Sequence, residues 1–600
     1  MHRSTYPVYF LLLFSISASG LAGCGKLRSE IPVSKSSSSE NALQKISFIE
    51  VTEEAGLSAF RHDNGQFGLK WFPEQMGAGG GFIDYDGDGW LDILLVGGGI
   101  WPDRSDGDVP ALWMYRNNGD GTFALVTDAV GLGNVRTYSI GIAVADYDND
   151  GDQDFYLTTL RRNMLFRNDG GVFAEIGVDA RVADQEVWSS SAIFFDADRD
   201  GRLDLYVGGY ADWSPETDVR CEIGGERVYC RPAQYHGIGS VFYHNNGDGS
   251  FANRTREAGF AHVKGKSLGV AEMDFNHDGW PDLVVVNDGE GDLLYENNGD
   301  GTFSEEGAIS GIAYDDNGAA RAGMGVDAGV VDTTGEVTIF VGNFSGEMVG
   351  VYRHLGNDLF VDRSAVSQIG YPTLPTLTFG LFLFDVEFDG DLDLFIANGH
   401  VYPEPSQLEE GIEYRQPSQL LLGRGDGQFD EANAAVGGVF LKKLVARGAA
   451  YADYDKDGDL DVLITENDGP THLWRNNLRE LSGQSHPAES RVEPVDDLTG
   501  TTYLRVHVEG RESNRDGLGA RIEASVGSRR MERRIRTGSS YLSQSETVAT
   551  FGLNGARQVD HLVVSWPSGR VERFEAIQAN QDIHILEGTG MYTVDENEAL

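Results

Sequence analysis

The stretch that decides the fold reads Asp453-Tyr454-Asp455-Lys456-Asp457-Gly458-Asp459-Leu460-Asp461, followed by Val462-Leu463-Ile464. Acidic residues occupy positions 1, 3, 5 and 9 of this stretch, and a glycine occupies position 6. Alternating carboxylates on a tight turn supply the oxygen ligands that Ca²⁺ prefers, and the glycine permits the sharp turn. An EF-hand would need a glutamate at position 12 and helices on both sides, whereas the flanks here favour strands. The sequence therefore predicts a calcium loop between two β-strands.

The same loop recurs along the chain, so that a solvated acidic turn becomes a poor explanation. Positions 1, 3, 5 and 9 of the six copies are occupied by Asp84, Asp86, Asp88 and Asp92; Asp146, Asp148, Asp150 and Asp154; Asp196, Asp198, Asp200 and Asp204; Asp274, Asn276, Asp278 and Asp282; Asp385, Glu387, Asp389 and Asp393; and Asp453, Asp455, Asp457 and Asp461. In a degenerate copy at 330–338, positions 1, 3, 5 and 9 keep only one carboxylate, that of Asp332. We expect seven units that bind about six calcium ions, with none in the degenerate fifth unit.

Each unit continues into a hairpin. The stretches 112–123, 241–251 and 294–303 place Asn-Gly-Asp-Gly between apolar runs, a strong hairpin signal because both dipeptides tolerate positive φ. Four short antiparallel strands at this period are typical of a propeller blade. The last unit lacks its fourth strand, and an orphan fourth strand stands at 48–57. The fold prediction is an all-β, seven-bladed β-propeller over 47–480, in which the N-terminal strand closes the last blade, followed by a small β-sandwich-like domain.

The N-terminus has the form of a secretory signal over residues 1–23. Leu21-Ala22-Gly23-Cys24 resembles a bacterial lipobox, which implies acylation of Cys24 and a lipoprotein of the cell envelope, with Gly25 fitting the outer membrane. The alternative is an uncleaved anchor helix, but its apolar run is short and interrupted by serines. Residues 24–46 then form a flexible tether, 481–500 an interdomain linker, and 589–600 an acidic, disordered tail.

Charge and cysteine content limit the partners. A net charge of −47 argues against nucleic acid, whose partners need a basic face. Cys221 and Cys230 share one insertion in an oxidising compartment, which favours a local disulfide. Zinc is the alternative, with His236 as a nearby candidate ligand.

Blade geometry predicts that the loops after the second and fourth strands share one face, which we call the insertion face. Its long insertions carry the candidate ligand-binding aromatics Trp71, Trp101, Trp213, Tyr229 and Tyr402. Aromatics on a rigid scaffold favour a recognition surface. The alternative is that they pack against one another and seal the central channel.

The pattern changes from about Thr501, where alternating strands predict the small C-terminal domain over 501–588. Its basic stretch from Arg529 to Arg536 favours an exposed strand face over an anion site, and docking on the acidic propeller is a further possibility.

With these residues in view, the repeats resemble the FG-GAP/VCBS repeats of integrin α-chain propellers. The stretches 517–521, 536–545, 551–553 and 564–570 resemble the ASPIC/UnbV domain of cartilage-acidic-protein-like chains. The resemblance implies a seven-bladed propeller with calcium in the blade loops, and implies little about activity.

Two functions remain open. The first is a membrane-anchored binding or adhesion lipoprotein of the cell surface, which recognises a protein or glycan through the insertion face. The second is an extracytoplasmic enzyme, a polysaccharide lyase or hydrolase. The chain offers no nucleophile elbow, no His-Glu-x-x-His and no zinc cluster. The sequence therefore favours binding and assigns no catalytic residue.

Overall fold

The computed structural model describes residues 46–65, 68–99, 110–183, 186–315, 317–403, 411–478 and 501–594. The chain divides into two compact units, Met1–Asn41 and Ala42–Leu600, and every described residue belongs to the second unit. The predicted signal, Cys24, most of the tether, Trp101 and the linker at 481–500 lie outside the described residues. Among the described residues, no helix has the length and apolar character needed to cross a membrane.

The regular secondary structure of the described residues consists of strands and single helical turns. The strands before the linker are β1 (Phe48–Glu50), β2 (Gly80–Ile83), β3 (Asp92–Val96), β4 (Leu112–Asn117), β5 (Phe123–Leu125), β6 (Ser139–Ala145), β7 (Asp154–Thr159), β8 (Met164–Asn168), β9 (Phe173–Glu175), β10 (Ser189–Phe195), β11 (Asp204–Gly209), β12 (Cys221–Ile223), β13 (Glu226–Val228), β14 (Val241–Asn245), β15 (Phe251–Asn253), β16 (Ser267–Met273), β17 (Asp282–Asn287), β18 (Leu293–Asn297), β19 (Phe303–Glu305), β20 (Val326–Val330), β21 (Val337–Val341), β22 (Gly350–His354), β23 (Phe360–Asp362), β24 (Thr378–Phe384), β25 (Asp393–Asn398), β26 (Gln416–Pro417), β27 (Gln419–Gly423), β28 (Phe429–Glu431), β29 (Lys443–Leu444), β30 (Ala446–Ala452), β31 (Asp461–Glu466) and β32 (Thr471–Asn476). The helical turns are Phe72–Gln75, Pro232–Gln234, Phe260–His262, Gly307–Ser310, Gly370–Thr373, Asn433–Val436 and Gly438–Leu441.

Residues 46–478, as far as they are described, form seven four-stranded antiparallel sheets. Sheet 1 is β2-β3-β4-β5, sheet 2 is β6-β7-β8-β9, sheet 3 is β10-β11-β14-β15, sheet 4 is β16-β17-β18-β19, sheet 5 is β20-β21-β22-β23, sheet 6 is β24-β25-β27-β28, and sheet 7 is β30-β31-β32-β1. Six predicted metal loops each join the first and second strands of a sheet, and the degenerate loop does so in sheet 5. The arrangement is propeller-like and carries each metal loop where the repeat predicts it.

The N-terminal strand completes the sheet of the last repeat, as the sequence predicts. β1 pairs antiparallel with β32, with Phe48 opposite Asn476 and Glu50 opposite Trp474. Without β1, sheet 7 would expose the edge of β32, which is a template for unwanted pairing. The pairing therefore ties the two ends of the repeat array together.

The first and second strands of the sheets are the most buried. Every residue of the first strands β6, β10, β16 and β24 is buried, and so is every residue of the second strands β7, β11, β17 and β25. A strand covered on both faces has a continuous run of small and apolar residues, as Ser139–Ala145 does. The fourth strands are only three residues long in sheets 1 to 4. The core of this part of the molecule therefore lies along the first and second strands.

The C-terminal domain contains two further four-stranded sheets within residues 501–594. Its strands are β33 (Tyr503–Glu509), β34 (Arg521–Val526), β35 (Arg529–Arg534), β36 (Ala549–Gly552), β37 (Gln558–Ser565), β38 (Val571–Gln578), β39 (Gln581–Leu586) and β40 (Tyr592–Val594). The sheets have the orders β36-β33-β39-β40 and β35-β34-β37-β38, and β33 and β39 run parallel. Apolar residues of both sheets share one core, which is the arrangement of a sandwich.

The end of this domain differs from the sequence prediction. Residues 592–594, predicted to belong to a disordered tail, form β40, and Tyr592 lies opposite Ile585 of β39. Burial explains the difference, because the Tyr592 ring packs against Phe574 at 6.1 Å. The ordered domain thus extends to at least residue 594, and 595–600 lie outside the described residues.

A segment of the C-terminal domain, residues 536–546, lies among the first strands of the seven sheets, and we call it the core segment. It adds backbone hydrogen bonds to β2, where Gln544 N donates to Gly80 O at 3.2 Å, and to β20, where Ser540 N donates to Val326 O at 2.8 Å. Further contacts reach β6, β10, β16, β24 and β30. The C-terminal domain is therefore built into the repeat array and is not a separate appendage.

The basic stretch of the domain docks on the repeat array, so the prediction of an exposed strand face is wrong. Arg534 pairs with Glu272 at 2.6 Å, Arg536 pairs with Asp327, and Arg533 lies 3.8 Å from Asp385. All three guanidinium side chains are largely buried. The strongly acidic repeats supply the carboxylates that make burial of these arginines possible, since a buried charge needs a partner.

Candidate functional site

The six metal loops share one hydrogen-bonding scheme. The backbone N–H of the glycine at position 6 donates to the carboxylate at position 1 in every copy, at 2.9–3.1 Å. The N–H at position 2 donates to one oxygen of the position 9 carboxylate, and a residue ending the third strand donates to the other. These bonds fold the loop so that the side chains at positions 1, 3 and 9 converge.

The convergence is close enough for a metal ion in several loops. Carboxylate oxygens of Asp84, Asp86 and Asp92 lie within 4.8 Å of one another. The equivalent residues of two more loops do the same, namely Asp146, Asp148 and Asp154, and Asp453, Asp455 and Asp461. Separations of this size suit oxygen ligands around one hard cation, which each lie at about 2.3–2.6 Å from Ca²⁺.

The third loop contains a histidine that the sequence analysis missed. There the converging group is Asp198, Asp200 and His244, and His244 Nδ1 lies 3.0 Å from Asp204 Oδ1. The hydrogen bond that His244 donates to Asp204 raises the pKa of His244 against the opposing effect of burial. His244 stands on β14, 40 residues after Asp204, so no local spacing rule could have found it.

The loops at 274 and 385 do not form such a group among the described residues. In the loop at 274, Asn276 Nδ2 donates hydrogen bonds to Asp278 and Glu296, both at 3.2 Å. The amide nitrogen at position 3 is therefore engaged within the protein. In the loop at 385, Asp385 Oδ2 accepts hydrogen bonds from Gly390 N and from Gly552 N of the C-terminal domain, each at 2.9 Å.

Unsatisfied carboxylate oxygens point to a cation. Seven of them are buried and accept no hydrogen bond from any described residue: Asp84 Oδ1, Asp274 Oδ1, Asp385 Oδ1 and Asp453 Oδ1 at position 1, and Asp148 Oδ1, Asp198 Oδ1 and Glu387 Oε2 at position 3. A buried polar atom without a partner costs about 1–3 kcal/mol. A bound cation would satisfy these atoms, and so the residues present fit calcium.

Electrostatics of the loops lead to the same inference. Burial, followed by the neighbouring carboxylates, raises the pKa of Asp92 to about 8 and that of Asp154 to about 9. Burial likewise raises the pKa of Asp385 to about 7. Carboxylates gathered in this way repel one another at neutral pH, and a divalent cation reverses the sign of the local field.

In the degenerate unit, Asp332 is paired within the protein. Its carboxylate lies 2.6 Å from Arg353, on the third strand of the same sheet. The one carboxylate left at the ligand positions is thus neutralised by a guanidinium. Another residue of the unit, Asp327, pairs with Arg536 of the C-terminal domain.

The insertion face is more compact than an exposed recognition surface. Trp71, Trp213 and Tyr229 are buried, each less than a tenth exposed, and Tyr402 is half-buried. Trp71 and Trp213 meet edge to face at 5.8 Å. The three buried rings therefore match the alternative in which these aromatics pack against one another. Of the predicted aromatics among the described residues, only Tyr402 keeps an accessible part.

The predicted disulfide is confirmed. Cys221 and Cys230 are bridged with their Cα atoms 5.3 Å apart, at the two-stranded ribbon of β12 and β13. Cys230 then forms part of the wall of a cavity on the insertion face. The bridge pins this insertion and not the repeat array, as the sequence predicts.

The cavity has a volume of about 690 Å³. Its aromatic lining comprises Phe72, Tyr235, Phe344, Phe379 and Tyr402, and its polar lining includes Gln75, Arg231, His236, Lys266, Asp288, Glu290, Ser345 and His400. Tyr541 of the core segment packs against Phe379 at 4.9 Å, so the segment supports the floor. A cavity of this size with a few convergent polar groups is the usual form of a small-ligand site.

One pair in the cavity wall resembles a nucleophile and its base, but its histidine is a weak base. His400 Nε2 lies 3.3 Å from Ser345 Oγ, and His400 Nδ1 lies 3.1 Å from Tyr402 N and 3.4 Å from Tyr402 O. Burial lowers the pKa of His400 to about 4, so the ring is neutral near pH 7 and takes up a proton poorly.

Comparisons with known proteins agree with the two parts of the fold. A family model described as ASPIC and UnbV matches residues 510–591, and one described as an FG-GAP-like repeat matches residues 84–157, 146–207 and 274–329. Cartilage acidic protein 1 of Xenopus tropicalis is 23% identical over 531 residues, which are 75% of this chain and 74% of the relative. The Homo sapiens protein of the same name is 23% identical over 72% of this chain and 60% of its own length.

Two solved structures share part of the arrangement. A lectin of Agrocybe aegerita, described as recognising non-reducing terminal N-acetylglucosamine, has a TM-score of 0.36 and 17% identity and covers 65% of this chain and 85% of its own. The exotype rhamnogalacturonan lyase YesX has a TM-score of 0.32 and 14% identity, with 66% and 71% covered. At these TM-scores neither structure bears on the function of this chain. The family models identify the two parts of the chain, which contains FG-GAP-like repeats and carries a C-terminal ASPIC/UnbV domain.

Proposed function

We propose that the chain is a calcium-stabilised extracytoplasmic binding or adhesion protein, anchored in the bacterial cell envelope by a lipid on Cys24, that recognises a protein or glycan through the insertion face. The observation that carries the proposal is the cavity of about 690 Å³ on that face. The Ser345–His400 pair in its wall has a weakly basic histidine, which favours binding over catalysis.

The scaffold in this proposal is a closed, seven-bladed propeller. Its support is a cycle of contacts between first strands: β2 contacts β6, β6 contacts β10, β10 contacts β16, β16 contacts β20, β20 contacts β24, β24 contacts β30, and β30 contacts β2. A closed ring of sheets leaves only the short fourth strands as sheet edges and holds loops from several blades in a fixed relation. A rigid ring is therefore suited to present a preformed cavity.

Calcium is assigned to the six acidic loops, at the residues that the repeat predicts. Three observations support the assignment: the converging carboxylates, their unsatisfied buried oxygens and their raised pKa values. In the third loop His244 joins Asp198 and Asp200. Calcium here would be a structural ion, since the loops lie between the first and second strands, whereas the cavity lies on the insertion face.

The anchor is assigned to Cys24, on the lipobox resemblance of Leu21-Ala22-Gly23. Mass spectrometry of the N-terminal peptide of the mature protein checks it. We expect a chain that begins at a diacylated or triacylated Cys24. A mature chain that begins elsewhere, with unmodified Cys24, would contradict the anchor but not the binding function.

Blocking the cavity tests the binding function. Ala233 lines the cavity and is exposed, so Ala233→Trp should fill the entrance without disturbing a buried contact. Ala261 is also exposed but does not line the cavity, and Ala261→Trp is the matched control. The mature chain and both variants are compared for binding to a glycan array and to purified envelope proteins.

We expect Ala233→Trp to lose binding of whichever probe the native protein retains, with the melting temperature unchanged. Equal binding by both variants would move the ligand site away from the cavity. A native protein that binds neither class of probe would overturn the proposed function.

A further inference from the structure

We infer that the cavity on the insertion face takes a neutral saccharide, a class of ligand that rests on the proposed binding function and sharpens it. The inference comes from three features of the cavity wall. These are its clustered aromatic rings, its acidic and basic side chains whose charges offset one another, and a buried amide oxygen that lacks a hydrogen-bond partner.

The aromatic part of the wall is held in place by ring contacts. Phe72 stacks on Tyr235 at 4.7 Å, and His400 packs against Phe344 at 5.3 Å and Tyr402 at 5.6 Å. Rings packed in this way are preorganised, so binding costs little side-chain entropy. The C–H face of a pyranose ring is apolar and slightly positive, and it matches the negative face of an aromatic ring.

Three of the four Asp, Glu, Lys and Arg side chains in the wall, those of Lys266, Glu290 and Asp288, already have partners, and the fourth, Arg231, is exposed. Lys266 is buried and pairs with Glu290, and Asp288 accepts a hydrogen bond from Tyr210 Oη at 2.6 Å. A charged ligand would have to compete with these pairs, which costs the desolvation of the displaced charge. A hydroxyl group can donate to a carboxylate and accept from an ammonium without breaking either pair.

Gln75 supplies the most specific feature. Its side chain is 3% exposed, lines the cavity, and its Oε1 accepts no hydrogen bond from any described residue. The backbone at this point is fixed, because Gln75 O accepts two hydrogen bonds from the buried Arg447 guanidinium at 2.7 and 3.0 Å. The oxygen itself has almost no accessible surface, so a turn of the Gln75 amide towards the cavity has to bring it to a donor, and a saccharide hydroxyl is one.

The charge of the whole chain selects a neutral over an acidic saccharide. The net charge of −47 leaves a negative field over the surface even after six divalent cations are added, since these return only twelve positive charges. Sulfated, sialylated or uronic acid chains would be repelled on approach. Neutral chains are indifferent to this field.

Two variants and a control test the inference on the mature, calcium-loaded protein. Gln75→Leu removes the unsatisfied oxygen at similar volume, and Tyr402→Ala removes an accessible ring. Tyr371→Ala is the control, because Tyr371 is 66% exposed and does not line the cavity. Binding is measured on an array of neutral and acidic glycans and by calorimetric titration of the strongest neutral oligosaccharide.

We expect binding of neutral glycans, weakened about tenfold or more by Gln75→Leu and by Tyr402→Ala, and unchanged in Tyr371→Ala. The melting temperature of Gln75→Leu should stay equal or rise, which separates lost recognition from lost folding. Binding of acidic glycans alone, or no glycan at all, overturns the inference. If envelope proteins still bind in that case and Ala233→Trp abolishes it, the proposed function stands without the saccharide. Neutral glycan binding that both cavity variants retain also overturns the inference.

Discussion

At the scale of single residues, the metal loop depends on a backbone feature that its acidic pattern does not reveal. Position 4 of every loop has positive φ: Gly87 at 68°, Asn149, Arg199, His277 and Phe388 at 59°, and Lys456 at 56°. Position 6 is a glycine with positive φ in all six loops. Only one loop uses glycine at position 4, so the other five accept the cost of a left-handed residue, roughly 1–2 kcal/mol each.

Substitution of His277 tests this cost. His277 is exposed at position 4 of the fourth loop, so its replacement acts mainly through the backbone. We expect His277→Val to lower the free energy of unfolding by about 1 kcal/mol or more, because a β-branched residue tolerates positive φ poorly. His277→Gly should be close to neutral, since relief of strain is offset by the larger entropy of the unfolded chain.

Denaturant unfolding of the calcium-loaded protein measures both. Ser304→Val, on the extended strand β19, is the control and should be tolerated. Equal destabilisation by valine at the two positions would show that the left-handed backbone is not what limits residue choice in the loop.

At the scale of elements, the third strands link neighbouring sheets through one asparagine each. Asn168 Nδ2, at the end of β8 in sheet 2, donates to Tyr85 O in the loop of sheet 1 at 2.7 Å. The same bond is made by Asn117 to Tyr454 O, Asn245 to Tyr147 O, Asn297 to Ala197 O and Asn476 to Val386 O, at 2.8–3.4 Å. The repeat pattern places this asparagine at the end of a strand and does not predict its bond to the next sheet.

Replacing Asn168 should weaken the contact between sheets. Asn168 is fully buried, and Asn168→Ala leaves the carbonyl groups of Tyr85 and Gln153 without their donor. We expect a loss of about 2 kcal/mol or more, because buried acceptors cannot turn to water. Asn118 lies next to the exposed turn of sheet 1 and bonds only Thr122 through its side chain, so Asn118→Ala is the control and should cost less than about 0.5 kcal/mol.

Thermal or urea unfolding of the two variants measures the difference. Similar losses in both would mean that the asparagine serves the hairpin and not the junction.

The junction between β1 and β32 adds a charge cluster that closes sheet 7. His472 bonds Glu50 at 2.6 Å through Nδ1 and Glu466 at 2.9 Å through Nε2. Burial opposes ionisation of Glu50, but His472 and Lys442 outweigh it and lower the pKa of Glu50 to about 2. Burial likewise opposes protonation of His472, but Glu466 and Glu50 outweigh it and raise the pKa of His472.

These pKa shifts limit the pH range over which the charge cluster stabilises the junction. The contribution of Glu50 is present above its ordinary pKa of 4.5 and is lost as the pH falls towards 2. The contribution of His472 is present below its ordinary pKa of 6.5 and is lost as the pH rises through the raised value. We expect the stability difference between the native protein and His472→Gln to be largest between pH 4.5 and 6.5, measured by urea unfolding across pH. A difference independent of pH would contradict the charge pairing.

At the scale of the whole molecule, the C-terminal domain and the metal loops are joined. Arg505 pairs with Glu546 at 2.9 Å and lies 3.5 Å from Asp453, a predicted calcium ligand. Asp516 accepts a hydrogen bond from Asp146 N at 2.8 Å. The C-terminal domain contacts the metal loops, and its core segment bonds to the first strands. We therefore expect the ordering of the loops and the docking of the domain to depend on each other.

Removal of calcium should therefore destabilise the entire molecule. A ligand that binds only the folded state at tenfold saturation contributes about 1.4 kcal/mol per site, or about 8 kcal/mol for six sites. That is comparable to the stability of an ordinary domain. We expect chelation to lower the melting temperature strongly, calcium but not sodium to restore it, and bound calcium to saturate near six per chain.

Two variants make the stoichiometry specific. Asp84→Asn, in the first loop, should reduce the bound calcium by one ion. Asp332→Asn, in the degenerate unit where Arg353 pairs with the carboxylate, should leave the count unchanged. A melting curve indifferent to chelator, or a stoichiometry of zero, would overturn the assignment of calcium.

The sequence by itself determined the repeat, because its signals are local. The acidic loops, the Asn-Gly-Asp-Gly turns and the orphan N-terminal strand each depend on residues within about ten positions, where backbone geometry fixes which residues meet. The same holds for the Cys221–Cys230 bridge, whose partners lie in one ribbon. Local spacing is therefore enough to predict these features.

Only the tertiary structure decided what the parts do to one another. His244 joins a loop 40 residues away, Asn168 reaches the neighbouring sheet, and the arginines that the sequence placed on an open face are buried against acidic strands. The insertion-face tryptophans Trp71 and Trp213 are core residues, and the cavity is assembled from loops of several sheets. Such contacts depend on how the sheets and the C-terminal domain are brought together in space, and a linear pattern carries no measure of that arrangement.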